Sequence, residues 1–157
     1  MKELIALLAL APHPEGGYFS QVHKSQLLVT PTDGRPDRSA ITIIYFLLDE
    51  GSVSRWHRVL SDEAWHYYEG SPIDLFMAPP EGGAAHSMTL GPLSEESKPL
   101  HVVPAGWWQA AHPRGPYSLV GCSVGPGFEF ADFTLLSDLP IAERPVIDPE
   151  DLFSEFL

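Results

Sequence analysis

Short stretches of alternating apolar and polar residues run through most of this chain, and turn-forming residues separate them at fairly regular intervals. The first such stretch is Tyr18 to Lys24. Ser39 to Leu48 is apolar on both faces through Ile41, Ile43, Ile44, Tyr45, Phe46 and Leu47, the pattern of a strand in the middle of a sheet. Further strands are predicted over 53–58, 64–69, 73–78, 86–90, 100–103, 108–112, 117–124 and 133–136. Glu50-Gly51, Gly70-Ser71-Pro72, Gly91-Pro92 and Ala105-Gly106 are among the turns between them. Residues 30–38, with Pro31, Gly34 and Pro36, read as a polar loop. The period changes only at the ends. Leu4, Leu7, Leu8 and Ala11 fall at helical spacing, which predicts a helix over 3–11 that Pro12 and Pro14 terminate. In the tail, 138–157, Asp148-Pro149-Glu150-Asp151 is a start signal for a short helix carrying Phe153 and Phe156. Many short strands without intervening helices predict an all-β sandwich or barrel over about 18–136, in one domain covering 1–157.

Size and composition agree with that expectation. A chain of 157 residues, 44% apolar, can bury one real core. Its 13 glycines and 16 prolines follow no period, which suits tight turns and argues against a helical bundle. Charge narrows the partners. With 21 acidic residues against nine Lys plus Arg, the net charge of −12 disfavours nucleic acid and anionic membrane surfaces. The single cysteine, Cys122, lies in an apolar run, cannot form an intramolecular disulfide, and points to a reduced, cytoplasmic setting. The opening apolar segment is too short for a signal peptide, carries Glu3 and meets Pro12 at once, so an amphipathic helix is the better reading.

The candidate chemistry lies between Gly51 and Gly70. On a strand, His57 and Val59 share one face and Trp56 and Arg58 the other; on the next, Glu63, Trp65 and Tyr67 share a face opposite His66 and Tyr68. A hairpin turning at Leu60-Ser61-Asp62 can therefore aim His57 and Glu63 into one space, with Trp65 and Tyr67 as aromatic walls.

This stretch resembles the first motif of the cupin family: a glycine, five residues, His-x-His, three or four residues, a glutamate, six residues and a glycine. Gly51, His57, Glu63 and Gly70 match, and Val59 stands where the second histidine would be. Pro104-Ala105-Gly106-Trp107-Trp108-Gln109 resembles the second motif, with Gln109 in the place of its histidine. His13-Pro14-Glu15-Gly16-Gly17-Tyr18, Trp56-His57-Arg58 and Ser61-Asp62-Glu63 look like one subfamily of small single-domain cupins without an assigned activity, over about Leu4 to Leu136. The resemblance implies a jelly-roll barrel with a small-molecule pocket. It also implies a homodimer, in which edge strands and the terminal apolar helices find cover.

For chemistry, the resemblance implies two alternatives. A cupin-type metal site would draw on His57, Val59, Glu63 and Gln109. Valine cannot ligate, so at most His57, Glu63 and Gln109 are left for a divalent ion such as Fe, Mn, Ni or Zn. His66 can substitute as a ligand only if a bulge shifts its parity relative to Glu63. The metal-free alternative is an epimerase- or isomerase-like pocket for a carbonyl-bearing, sugar-like ligand. There His57 is the base, Glu63 orients it, Tyr67 or Tyr117 returns the proton, and Arg55 or Arg58 meets a phosphate or carboxylate. Trp65, His66, Gln109 and Tyr117 complete the candidate ligand contacts. A non-catalytic ligand sensor remains a third alternative. Trp107 and Trp108 read as packing residues, Glu15 and Tyr18 can reach the barrel mouth, and His13 has no spacing that singles it out.

Overall fold

A computed structural model describes residues 2–149 and 154–157. Ten principal strands form two antiparallel sheets: β1 (Tyr18–Lys24), β2 (Thr42–Asp49), β3 (Ser54–Val59), β4 (Asp62–Gly70), β5 (Ile73–Ala78), β6 (His86–Leu90), β7 (Leu100–Val103), β8 (Trp108–Pro113), β9 (Tyr117–Gly125) and β10 (Phe133–Leu135). The larger sheet has the order β1-β2-β9-β4-β7, extended beyond β1 by the short strand Ala11–Pro12; the smaller has the order β6-β5-β8-β3-β10. Non-sequential neighbours within each sheet and facing sheets make this a jelly roll.

The strands follow the sequence pattern because inward positions alternate with outward ones. Phe46, Leu48, Trp65, Ile73, Leu75, Leu90, Val103 and Val120 fill one part of the space between the sheets. The predicted central strand, β2, indeed lies between β1 and β9, and its Phe46, Leu47 and Leu48 are buried on both faces. On the outside of the larger sheet, Leu47 and Leu119 are covered by Leu4, Ile5, Leu8 and Leu10. The helix itself, α1 (Lys2–Leu7), is shorter than the predicted 3–11: Ala9 takes a positive φ of 51°, and the chain enters the strand Ala11–Pro12. Arg38–Ser39 likewise separates from β2 and pairs with Leu28–Val29.

Outside the smaller sheet, Trp56 and Trp108 pack with Leu136, Ile147 and Phe156. The Trp56 backbone N–H donates to the Phe156 carbonyl at 2.9 Å, so the end of the tail closes this face. The helix expected from 148 onward falls largely on 150–153, outside the described residues.

Candidate functional site

Between the sheets lies a cavity that opens to solvent, with about 630 Å³ of free space when the solvent at its mouth is counted. The larger sheet contributes Phe19, Gln21, Thr42, Ile44, Phe46, Glu63, Cys122 and Val124 to its walls. The smaller contributes His57, Val59 and Phe133, and two loops add His13, Glu15, Phe128 and Phe130. His57 and Glu63 therefore line one enclosed space, 2% and 7% exposed.

His57 is fixed at both ring nitrogens. Its Nδ1 lies 2.8 Å from the Arg55 carbonyl. A carbonyl only accepts, so Nδ1 carries the proton. Its Nε2 lies 3.2 Å from Glu15 Oε2, and that same oxygen is 3.3 Å from His13 Nδ1. Ser54 Oγ donates to the other Glu15 oxygen at 2.7 Å. One carboxyl oxygen thus sits between two imidazoles.

The turn that carries Glu15 depends on glycine. Gly16 has a φ of 117°, and a Cβ there would collide with the Val53 carbonyl oxygen. With the side chain absent, the turn docks on β3, where the Arg55 N–H donates to the Glu15 carbonyl at 2.8 Å. The tight His13-Pro14-Glu15-Gly16-Gly17 turn is the sequence signal for this docking.

Glu63 is held from the opposite side. Gln109 stands across from His57 in the β8–β3 register, so both point inward. The Trp65 indole N–H donates to Gln109 Oε1 at 3.0 Å, which turns the amide nitrogen toward Glu63 Oε2 at 2.6 Å. Cys122 completes the set with a hydrogen bond to Glu63.

Burial dominates the protonation of the whole cluster and favours neutral forms. It pushes Glu15 above the ordinary carboxyl value, against the lowering influence of His13, the Ser54 hydroxyl and Arg55. Glu63 is also raised by burial, with His57 pulling it down and Glu15 reinforcing the rise. His57 is lowered by burial although Glu63 raises it, and His13 is lowered by burial although Glu15 opposes. The Cys122 thiol is pushed well up by burial and the two glutamates, so it acts as a thiol donor.

The other sequence candidates lie elsewhere. The Tyr67 hydroxyl donates to the Gly70 carbonyl at 2.7 Å, and the Tyr117 hydroxyl to Glu69 at 3.1 Å; neither residue lines the cavity. Trp65 is a buried wall behind Gln109. Arg55 donates to the Pro14 carbonyl at 2.6 Å on the exposed side, and Arg58 lies 4.8 Å over the Trp108 ring, so no guanidinium enters the cavity to meet an anion. His66 pairs with Gly121 and Leu100 on the outer face of β4, and the register shift in β9 falls beyond it, between Leu119 and Val120. The ring of His57 is oriented by the Arg55 carbonyl and Glu15, a role the sequence had pointed to Glu63 for.

The residues present do not suit a cupin-type metal. Val59 offers only hydrocarbon, and both ends of the Gln109 amide are engaged. Among the described residues no group of three His, Cys, Asp or Glu is placed to hold an ion.

One wall of the mouth is held by a clamp. Asp132 accepts from Arg38 Nε and Nη2, both at 2.8 Å, and from Arg35 Nη1 at 2.8 Å. This fixes the segment bearing Phe128, Phe130 and Phe133. Hydrogen bonding from Arg38 holds the Asp132 carboxyl below its ordinary value of 3.8. A carboxylate depressed in the folded state stabilises it above the unfolded value, and that stability is lost as pH falls through the folded one. Asp132→Asn is therefore expected to lower the urea midpoint at pH 7. The gap to wild type should close as pH is taken below about 3.8, and a pH-independent gap would contradict the clamp.

The architecture is that of a cupin barrel, and the description "Cupin superfamily (DUF985)" matches residues 2–136. The chain belongs to this family. A crystal structure of a protein from Shewanella oneidensis is 32% identical, with a TM-score of 0.83 over 99% of this chain and 95% of that one. A hypothetical protein from Leishmania major is 33% identical, with a TM-score of 0.79 over 85% of each chain. Oxalate decarboxylase from Bacillus subtilis, at 13% identity and a TM-score of 0.59, shares the fold over 81% of this chain, which spans 30% of that one. A search of curated proteins gives no match. Among the described residues no helix is long and apolar enough to cross a membrane.

Proposed function

We propose that the cavity binds a small carbonyl compound and moves a proton at the carbon next to the carbonyl, as an isomerase or epimerase does. The observation that carries this reading is the contact of His57 Nε2 with Glu15 Oε2 at 3.2 Å inside an apolar enclosure. With Nδ1–H committed to Arg55, a neutral ring presents a bare Nε2, and the proton of the pair resides on Glu15. Burial brings the two affinities toward each other by raising Glu15 and lowering His57. The nearer the two affinities lie, the less it costs to pass a proton either way. When the ligand's carbonyl oxygen takes the Glu15 O–H in place of Nε2, the freed Nε2 lone pair accepts the α-proton, and the same O–H meets the charge that develops on the oxygen. Return of a proton from Nε2 to the carbon completes the exchange, so atoms and charge balance without an oxidant. His13, touching the same Glu15 oxygen, gives the displaced carboxyl proton a second resting place.

The test is deuterium incorporation in D₂O at neutral pH, followed by proton NMR with dihydroxyacetone, D-fructose, 2-butanone and cyclohexanone as probes. Incorporation α to the carbonyl above the buffer rate is expected for at least one of them. Buffer-level exchange for all four contradicts the reading.

A further inference from the structure

The charge of the ligand can be read from the same cavity, and this inference rests on the carbonyl-ligand reading above. Five phenylalanines, Phe19, Phe46, Phe128, Phe130 and Phe133, supply much of the wall, and the neutral polar contacts come from Gln21 and Thr42. Among the described lining residues there is neither lysine nor arginine. The cations nearby lie outside it: Arg55 donates to the Pro14 carbonyl, Arg58 lies over the Trp108 ring, Arg35 and Arg38 pair with Asp132, and Lys24 with Glu129. The ionisable groups inside are two carboxyls, two imidazoles and the Cys122 thiol, in contact or in electrostatic reach of one another.

We infer that the ligand is an uncharged carbonyl compound with an apolar face, and that phosphorylated, carboxylated and nucleotide-linked sugars are excluded. An anion entering here would shed its water beside Glu15 and Glu63 with no counter-ion to meet it, and the chain's net charge of −12 repels it on approach. A cation would find aromatic faces. It would, however, have to draw Glu63 away from Gln109 and Cys122, or Glu15 away from Ser54 and the two imidazoles. A neutral ketone leaves the bonds of Ser54, Gln109 and Cys122 in place and draws only the Glu15 proton away from His57. Its oxygen meets a carboxyl proton and its hydrocarbon part lies on the phenylalanines.

Three probes share a six-carbon ring and differ in charge: cyclohexanone, cyclohexanecarboxylate and cyclohexylammonium. Each is titrated at pH 7 into full-length protein carrying ¹³C-labelled methyl groups, and the Ile44, Val59 and Val124 methyl resonances, which line the cavity, are followed. Cyclohexanone is expected to shift them with an affinity at least about tenfold above either charged analogue, a small part of the penalty for burying an unpaired charge. Equal or tighter binding of the carboxylate or the ammonium overturns the inference, as does no shift with the ketone. Deuterium incorporation into the same ketone separates the two claims. Selective binding without exchange keeps the charge selection and removes the proton-transfer reading; exchange with unselective binding does the reverse.

Discussion

His57→Gln is expected to reduce the α-deuteration rate of a responsive ketone by about 10²- to 10⁴-fold, the usual contribution of a positioned general base. Glutamine is close in size to histidine and its amide can still meet the Arg55 carbonyl, so the barrel has no reason to open. The amide nitrogen and oxygen do not take up a carbon-bound proton at neutral pH. Glu15→Gln leaves the imidazole in place but removes the acid that shares its proton, and its loss should be smaller and should alter the pH profile of exchange. A His57→Gln protein that folds normally and exchanges deuterium at the wild-type rate removes the imidazole from the mechanism.

The second large effect concerns the amide behind Glu63. Gln109 is fully buried and carries one hydrogen bond from Trp65 and one to Glu63. Gln109→Leu keeps most of the volume and strands both partners. A buried polar group left without its partner costs roughly 1–3 kcal/mol, and here there are two. Urea unfolding should show that loss. Trp65→Phe in the same background should then cost less than in wild type, because its indole N–H has already lost its acceptor. A Gln109→Leu effect within about 0.5 kcal/mol, the range of an ordinary surface change, contradicts the latch. The result also bears on the cupin comparison. At the position where the family motif has a histidine, this chain has an amide locked between an indole and a carboxyl, so the residue positions Glu63.

Much of the fold was legible because turn residues punctuate the sequence sharply. Ile73–Ala78, His86–Leu90 and Leu100–Val103 occupy the predicted bounds, each flanked by Gly or Pro turns. The ends of the chain were harder, since there tertiary contacts override local periodicity. Apolar spacing continues to Ala11, yet the helix stops at Leu7 so that Ala11 and Pro12 can pair with Phe19 and Tyr18. The cavity position of His57 and Glu63 followed from strand parity alone. Parity also turned Arg58 and His66 outward, and it gives no guide to a tyrosine near the far end of a strand, where Tyr67 and Tyr117 lie. Glu15 was only a candidate for the barrel mouth. It approaches Ser54 and His57 through the closing of a loop onto a strand 39 residues away in sequence, a contact without any period to announce it. Its one local signal is a glutamate set against two glycines that take positive φ.

The account rests on a neutral His57 whose Nδ1 is protonated and whose bare Nε2 faces Glu15 in the cavity wall. The ¹⁵N chemical shifts of its ring nitrogens at pH 7, assigned by comparison with His57→Gln, test this directly. One protonated nitrogen, identified as Nδ1 by its coupling pattern, and one bare nitrogen are predicted. An imidazolium at pH 7, or a neutral ring protonated at Nε2, would contradict the proposed chemistry at its first step.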